Sequence, residues 1–229
     1  MKKIERINFE IILAGESLLQ KWGTNKTAKM IQKLRKNLMA DERPLSTLPG
    51  GTGTYDHQAI SKAVRGSKNR INCLRLCHLA FISGFPVICE LGTNLGISSA
   101  YLGMGATSAN KDIRVRTGDI SGARINIAKE LHSEVGLKNI DYFVGDLVES
   151  ITNFLVPSIG LCFVDASHNY DATIQYFKQL RPCMKSGGVM VFDDIDWSDG
   201  MRRAWDDITK SETFCSKAEI DGVGYLQVI

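Results

Sequence analysis

The sequence predicts an α/β fold built on a doubly wound, mostly parallel sheet, and three observations carry that expectation. From Val87 onward, short apolar runs alternate with helix-sized amphipathic runs. The runs VICEL and VMVF are apolar on both faces, as strands covered by helices on two sides must be. The tail reads as two strands in succession. In order, the expected strands are VICEL, IRVRT, DYFVGD, LCFVDA and VMVFDD, with helices starting near Ile97, Ser121, Leu147, Ala172 and Met201. Right-handed crossovers then place helices on both faces of the sheet. FCSKAEID and GVGYLQVI, joined by an Asp221-Gly222 turn, form an antiparallel hairpin at one edge and bring the sheet to seven strands.

The N-terminal part has a different texture. Apolar residues recur at helical spacing over Ile4 to Trp22 and Lys26 to Met39, and NCLRLCHLAFI, ending at Ile82, is apolar enough to lie against a core. Between them, LPGGTGTYDH is too rich in Gly and Thr for a regular element. The shift of composition at Gly84-Phe85-Pro86 divides a helical extension or cap, residues 1–84, from a sheet domain, residues 85–229. No internal repeat is present.

Composition narrows the functional classes. Hydrophobic residues make up 44% of the 229 and charged residues 23%, which supports a large core and argues against intrinsic disorder. A formal charge of +3 is too mild to announce a nucleic-acid or membrane partner. Apolar runs fall well short of the ~20 residues of a membrane-spanning helix, and the polar start MKKIERINFE lacks a signal-peptide core, so a cytoplasmic location is expected. The six cysteines include no CxxC pair and read as reduced core thiols.

In an open α/β sheet, ligands bind beyond the carboxyl ends of the strands. Here those ends carry Glu90, Asp119, Asp146, Asp165 and the pair Asp193-Asp194. A single acid at a strand end is commonplace as a helix cap. Five in succession on one rim point to a site. After the first strand, ELGTNLGIS makes a glycine turn into a helix whose free N–H groups suit an anion. Asn94 stands at the middle position of what would otherwise be GxGxxG, which argues against a pyrophosphate pressed on the backbone. Asp119 follows Gly96 by 23 residues, near the spacing of about 20 at which an acid accepts ribose hydroxyls. Together these features describe a nucleoside cofactor with few or no phosphates.

The run ELGTNLGISSAYL resembles the first motif of class I S-adenosylmethionine-dependent methyltransferases, and the resemblance extends over Val87 to Ile229. Within it, FVDASHNYDATIQYFKQLRPCMKSGGVMVFDDIDW is similar to the O-methyltransferase branch related to the catechol and macrolide-sugar enzymes. In that branch an Asp ends the fourth strand and an acidic pair ends the fifth; here Asp193 follows Asp165 by 28 residues. The resemblance implies a Rossmann-like fold and S-adenosylmethionine as cofactor. It further implies that Glu90, Gly92, Thr93, Asn94 and Gly96 form the methionine side of the pocket, with Ser98 on the methionine carboxylate. Asp119 would hold the ribose and Asp146 the adenine amino group, a donor that needs an acceptor, while Asp165 borders the cofactor. Asp165, Asp193 and Asp194 would bind Mg²⁺ or a similar hard divalent ion.

The residues themselves argue in part for that ion. Three clustered carboxylates repel one another, so a proton or a cation must neutralise them, and a divalent ion would also anchor an acceptor hydroxyl. The bland reading of Asp193-Asp194 is a capping pair opening the DIDWSDGM turn. His168 sits three residues past Asp165, the offset at which catechol-type relatives carry a lysine base; with Asp165 it makes the catalytic pair, His168 accepting the acceptor's proton. Alternatively His168 orients the loop, contacts adenine or bonds an aspartate. The chain departs from its relatives in lacking that lysine and in carrying Ser167 where the sugar enzymes place an aspartate.

Other residues carry smaller expectations. His57 is either part of a lid or simply exposed. Cys73, Cys77 and His78 read as packing on an apolar helix rather than metal ligands, and Lys26, Lys29, Lys33, Arg35 and Lys36 as a solvated face rather than an RNA contact. Trp197 either walls an acceptor pocket or packs, and Trp205 flanks the same helix. The leading expectation is O-methylation of a small hydroxylated acceptor. The alternatives are a nicotinamide-dependent oxidoreductase on a similar sheet, disfavoured by Asn94 and the acidic pair, and a non-catalytic cofactor- or RNA-binding protein. A homodimer is compatible with the sequence, which fixes neither the oligomeric state nor the acceptor.

Overall fold

The computed structural model describes residues 6–110, 112–148, 158–211 and 214–229. Its sheet has seven strands: β1 (Val87–Leu91), β2 (Arg114–Asp119), β3 (Ile140–Val144), β4 (Ile159–Val164), β5 (Met184–Phe192), β6 (Phe214–Ile220) and β7 (Val223–Val228). Their spatial order is β3-β2-β1-β4-β5-β7-β6. The first five strands run parallel, and β7 pairs antiparallel with both β5 and β6. The expected architecture, including the hairpin turning at Asp221-Gly222, is the one observed.

Alternation along the strands sorts the core into two faces, because successive side chains point to opposite sides. Ile88, Val115, Leu161, Phe163, Val189, Val191 and Tyr225 share one buried cluster. Cys89, Leu91, Cys162, Val164, Met190, Phe192 and Leu226 share another. The second face is covered by α8 (Tyr170–Leu180), through Tyr176, Phe177 and Leu180, and by α9 (Asp199–Ser211), through Trp205 and Ile208. Each large side chain buried this way contributes about 1.5–3 kcal/mol. Both helices begin two residues earlier than the apolar pattern suggests, and Trp205 lies inside α9. Asn169 caps α8 by accepting from the Ala172 N–H at 3.0 Å. The helix expected from Leu147 is described only at Leu147 and Val148; its remainder lies outside the described residues.

The first face receives α1 (Phe9–Ile12), α5 (Arg70–Ile82) and α6 (Ile97–Ala109). The helical spacing read over Ile4 to Trp22 is split between α1 and α2 (Gly15–Trp22), with residues 1–5 outside the described range. The break has a physical cause. Phe9 packs on Tyr225, with ring centroids 5.6 Å apart, whereas Leu18 and Trp22 enter a different cluster. At the break the Leu13 carbonyl accepts from the buried Arg75 Nε at 3.2 Å. One straight helix cannot serve both contacts.

That other cluster joins the N-terminal segments to the sheet domain. Leu18 and Trp22, together with Ala28, Ile31 and Leu34 of α3 (Lys26–Met39) and Ile60 and Val64 of α4 (Ile60–Arg65), pack with Cys73 and Cys77. Leu95, Ile97, Tyr101 and, from α7 (Gly122–Glu134), Ala123 and Ile127 complete it. Cys73 and Cys77 are thus core residues, and all six cysteines are free thiols. Among the described residues, no helix is long and apolar enough to cross a membrane.

Candidate functional site

Strand order reverses between β1 and β4, and that switch point opens a crevice at their carboxyl ends. Backbone pairing fixes what meets there. The Asp165 N–H donates to the Leu91 carbonyl at 2.8 Å, and the Asp193 N–H to the Val164 carbonyl at 3.0 Å. Parallel register therefore delivers Gly92, Asp165 and Asp193 side by side. Gly92 adopts φ +98°, and a β-carbon there would lie 1.9 Å from the Asp165 carbonyl oxygen, so no side chain fits.

A cavity of about 510 Å³ occupies the crevice, within the range of small-molecule sites. It runs from Asp146, Leu147 and Val148 past Asp119, Asn94 and Gly92 to Asp165, Ala166, Ser167 and His168. Six sequence-predicted residues thus line one space: Gly92, Asn94, Asp119, Asp146, Asp165 and His168. Glu90, Thr93, Gly96 and Ser98 are buried but are not on its wall.

Those four support the loop. Glu90 accepts from the Thr117 hydroxyl at 2.5 Å, and the Thr117 and Thr93 hydroxyl oxygens lie 2.6 Å apart. Burial pushes the Glu90 carboxyl up to about 7, against the Thr117, Ser98 and Ser99 hydroxyls that favour its charged form. Gly96 takes φ +82° at the N-cap of α6; a β-carbon there would lie 2.7 Å from the Ala128 β-carbon and 2.8 Å from His132 Nε2. Close packing of α6 on α7 explains that glycine. It also leaves the helix start without a capping side chain.

Asn94 answers the question raised by the missing middle glycine. It adopts a left-handed φ of 47°, which asparagine tolerates, so the loop keeps a glycine-like turn. Its N–H donates to Asp119 Oδ2 at 2.8 Å, and its side-chain amide donates to the Ala63 carbonyl at 3.0 Å. Asp119 Oδ1 accepts from the Ser121 N–H at 3.0 Å. Burial raises the Asp119 carboxyl above the usual carboxylate range, while these two N–H donors and Arg124 pull the other way.

At the β4–β5 end the electrostatics differ. Asp165, His168 and Asp193 present potential ligand atoms all within 4.8 Å of one another. His168 Nε2 lies 3.4 Å from Asp165 and 3.6 Å from Asp194. Burial lifts the Asp165 carboxyl to about 7. Burial also lifts Asp193, and the Asp165 charge adds to it. Asp194 holds a left-handed φ of 49°, which aspartate, like asparagine, tolerates better than most residues. The geometry groups His168 with Asp165 and Asp193; Asp194 stands beside them, half-exposed, rather than completing a three-carboxylate set.

Two contributions were not foreseen from sequence. Lys68, between α4 and α5, pairs its ammonium with Asp193 and, at 2.8 Å, with Asp194. Burial works against that charge, but Asp193 outweighs it and holds the proton more firmly than on a free lysine. Asp56, fully buried, accepts from the Ser121 hydroxyl at 2.7 Å and from Arg124 Nε at 3.1 Å, tying the glycine-rich segment to the start of α7. The tie sets Tyr55, rather than the exposed His57, on the cavity wall. Trp197 is 72% exposed, its ring centroid 6.5 Å from that of His168.

Residues 89–195 match the family model described as a methyltransferase domain. No curated protein matches the chain. Cofactor-bound Rv0187 from MTB superposes with a TM-score of 0.70 at 18% identity, over 93% of this chain and 94% of that one. SAH-bound methyltransferase PaMTH1 of Podospora anserina gives 0.68 at 13% identity, over the whole of both chains. An O-methyltransferase from Bacillus cereus in complex with SAH gives 0.64 at 16% identity, over 96% and 99%. Residues 89–195 thus resemble a methyltransferase domain, and the chain shares the fold of those solved structures.

Proposed function

We propose that the chain transfers the methyl group of S-adenosylmethionine to the hydroxyl oxygen of a small molecule in the cytoplasm. The single observation behind this reading is the continuous cavity that joins the Asp146–Asp119–Gly92 wall to Asp165 and His168. In this reading residues 85–229 bind the cofactor and residues 1–84 cap the site. Asp146 accepts from the adenine amino group and Asp119 from the ribose hydroxyls, while Gly96 and Ser98, behind the cavity wall, shape the loop on the methionine side. Glu90 and Thr93 brace the loop that carries Gly92 and Asn94.

The acceptor lies at the His168 end, where Trp197 offers an aromatic surface. As the acceptor oxygen forms its bond to the methyl carbon, the carbon–sulfur bond breaks, leaving S-adenosylhomocysteine and a methyl ether. His168 takes the hydroxyl proton at Nε2, the ring atom that faces the carboxylates. Holding the two reactants in line supplies much of the acceleration.

Asp165 and Asp193 form a pair of oxygen donors suited to a hard divalent ion, and no N–H or hydroxyl among the described residues donates to Asp193 Oδ1. We assign Mg²⁺ or a similar ion to Asp165 and Asp193, with Asp194 beside them and His168 Nε2 left free to take the proton. When bound, it would anchor the acceptor oxygen and lower the hydroxyl pKa. Calorimetry tests the cofactor assignment: S-adenosylhomocysteine binds the wild type, and Asp119→Ala weakens it about a hundredfold, as loss of two hydrogen bonds to a charged acceptor would. Unchanged affinity in that variant would refute the assignment. Full methyl transfer in EDTA would refute the metal.

A further inference from the structure

We propose that Lys68 is the resident counter-ion of the carboxylate cluster, and that a divalent cation reaches Asp165 and Asp193 only by displacing it. The inference rests on the metal assignment above. The Lys68 ammonium contacts Asp193 directly and Asp194 at 2.8 Å, so it stands on a carboxylate that the cation must use. Two positive charges on one buried carboxylate repel, and one ammonium cannot satisfy three acids. Among the described residues no N–H or hydroxyl donates to Asp193 Oδ1, although the Asp193 side chain is fully buried. A purely structural ion pair would satisfy both oxygens of a buried acid.

The lysine is also built to move at its tip while its backbone stays fixed. Arg35 of α3 donates from Nη1 to the Lys68 carbonyl at 2.6 Å and from Nη2 to the Ser67 carbonyl at 3.0 Å. Asn69 caps α5 immediately afterwards, accepting from the Asn72 N–H at 2.9 Å. Beyond that clamp runs a flexible four-carbon stem whose side chain is 13% exposed. Gly66, two residues earlier, is on the cavity wall, which places this turn beside the crevice. Arg35, one of the basic residues of α3, thus anchors this turn.

The test is Mn²⁺ binding to the full chain without S-adenosylmethionine, read as free Mn²⁺ by electron paramagnetic resonance. Lys68→Met binds at least tenfold more tightly than wild type, and adding Asp193→Asn removes the gain. Equal or weaker binding by Lys68→Met than by a wild type that does bind overturns the displacement and leaves the metal assignment standing. Absence of binding in both overturns the two together. A second measurement uses the wild type alone, in case the variant does not fold. Acylation of Lys68 by a lysine-reactive ester, followed by peptide mass spectrometry, speeds up at least fivefold in saturating Mn²⁺. Unchanged or slower labelling overturns the proposal.

Discussion

The two ends of the crevice are built on opposite electrostatic plans. At the β1–β2 end, Asp119 receives a backbone N–H on each oxygen, from Asn94 and Ser121, and both donors belong to loops that directly adjoin the parallel strands. At the β4–β5 end, Asp165 and Asp193 meet across the sheet with few donors, and their charge is balanced by Lys68, a side chain from far away in sequence. In the function proposed, the contrast lets one rim serve two partners: the first end is preorganised for a hydroxyl-rich nucleoside, and the second keeps charge in reserve for a cation and a reacting hydroxyl.

Substitutions can break the comparison at its seam or sharpen either side. The largest effect is expected at the seam itself. Gly92→Ala puts a β-carbon 1.9 Å from the Asp165 carbonyl oxygen and forces β1 and β4 apart; calorimetry should find no S-adenosylhomocysteine binding, and urea denaturation a loss of more than about 4 kcal/mol. His168→Ala addresses the acceptor end. kcat is expected to fall about a thousandfold with S-adenosylmethionine KM within a few-fold, and steady-state kinetics at saturating acceptor separates the two.

Next comes the buried acid of the first end. The folded Glu90 keeps a proton up to about pH 7, whereas the unfolded side chain releases it near 4.5. Between those values the native state binds more protons than the unfolded chain, so this group lowers stability as pH rises. The difference amounts to about 3 kcal/mol across the window. Glu90→Gln removes that slope, and denaturation at pH 5 and pH 7.5 should show the variant gaining on the wild type at the higher pH. The smallest effect is expected for Asn94→Ala, which loses the amide bond to the Ala63 carbonyl and must hold φ 47° without asparagine's tolerance. It should cost about 1–2 kcal/mol of stability and weaken cofactor binding severalfold.

Much of the sheet was legible because strand pairing follows local pattern. The alternation of Ile88 with Cys89 and of Leu161 with Cys162 declares two covered faces, and each acid sits within a residue or two of its own strand's end. The apolar pattern places the starts of α8 and α9 about two residues late, because the Asn169 and Ser198 side chains cap the first turn ahead of it. The break after α1 was not legible, because apolar spacing continues through it while the partners of Phe9 and Leu18 differ. Among the site residues, the motif spacing assigns Gly96 to a ligand loop, whereas a β-carbon there would meet Ala128 and His132 of α7. Spacing alone does not separate a glycine needed by a ligand from one needed by a helix.

The sequence by itself determined the parallel sheet, the hairpin at its edge and the set of acids on one rim, because period-two hydrophobicity and turn residues act over a few positions. Tertiary structure alone decided which of those acids face the cavity and what neutralises the rest. Lys68 reaches Asp194 from 126 positions earlier, and Asp56 reaches Arg124 across 68. Charge pairing depends on distance in space, and packing of the N-terminal helices against α6 and α7 sets those distances.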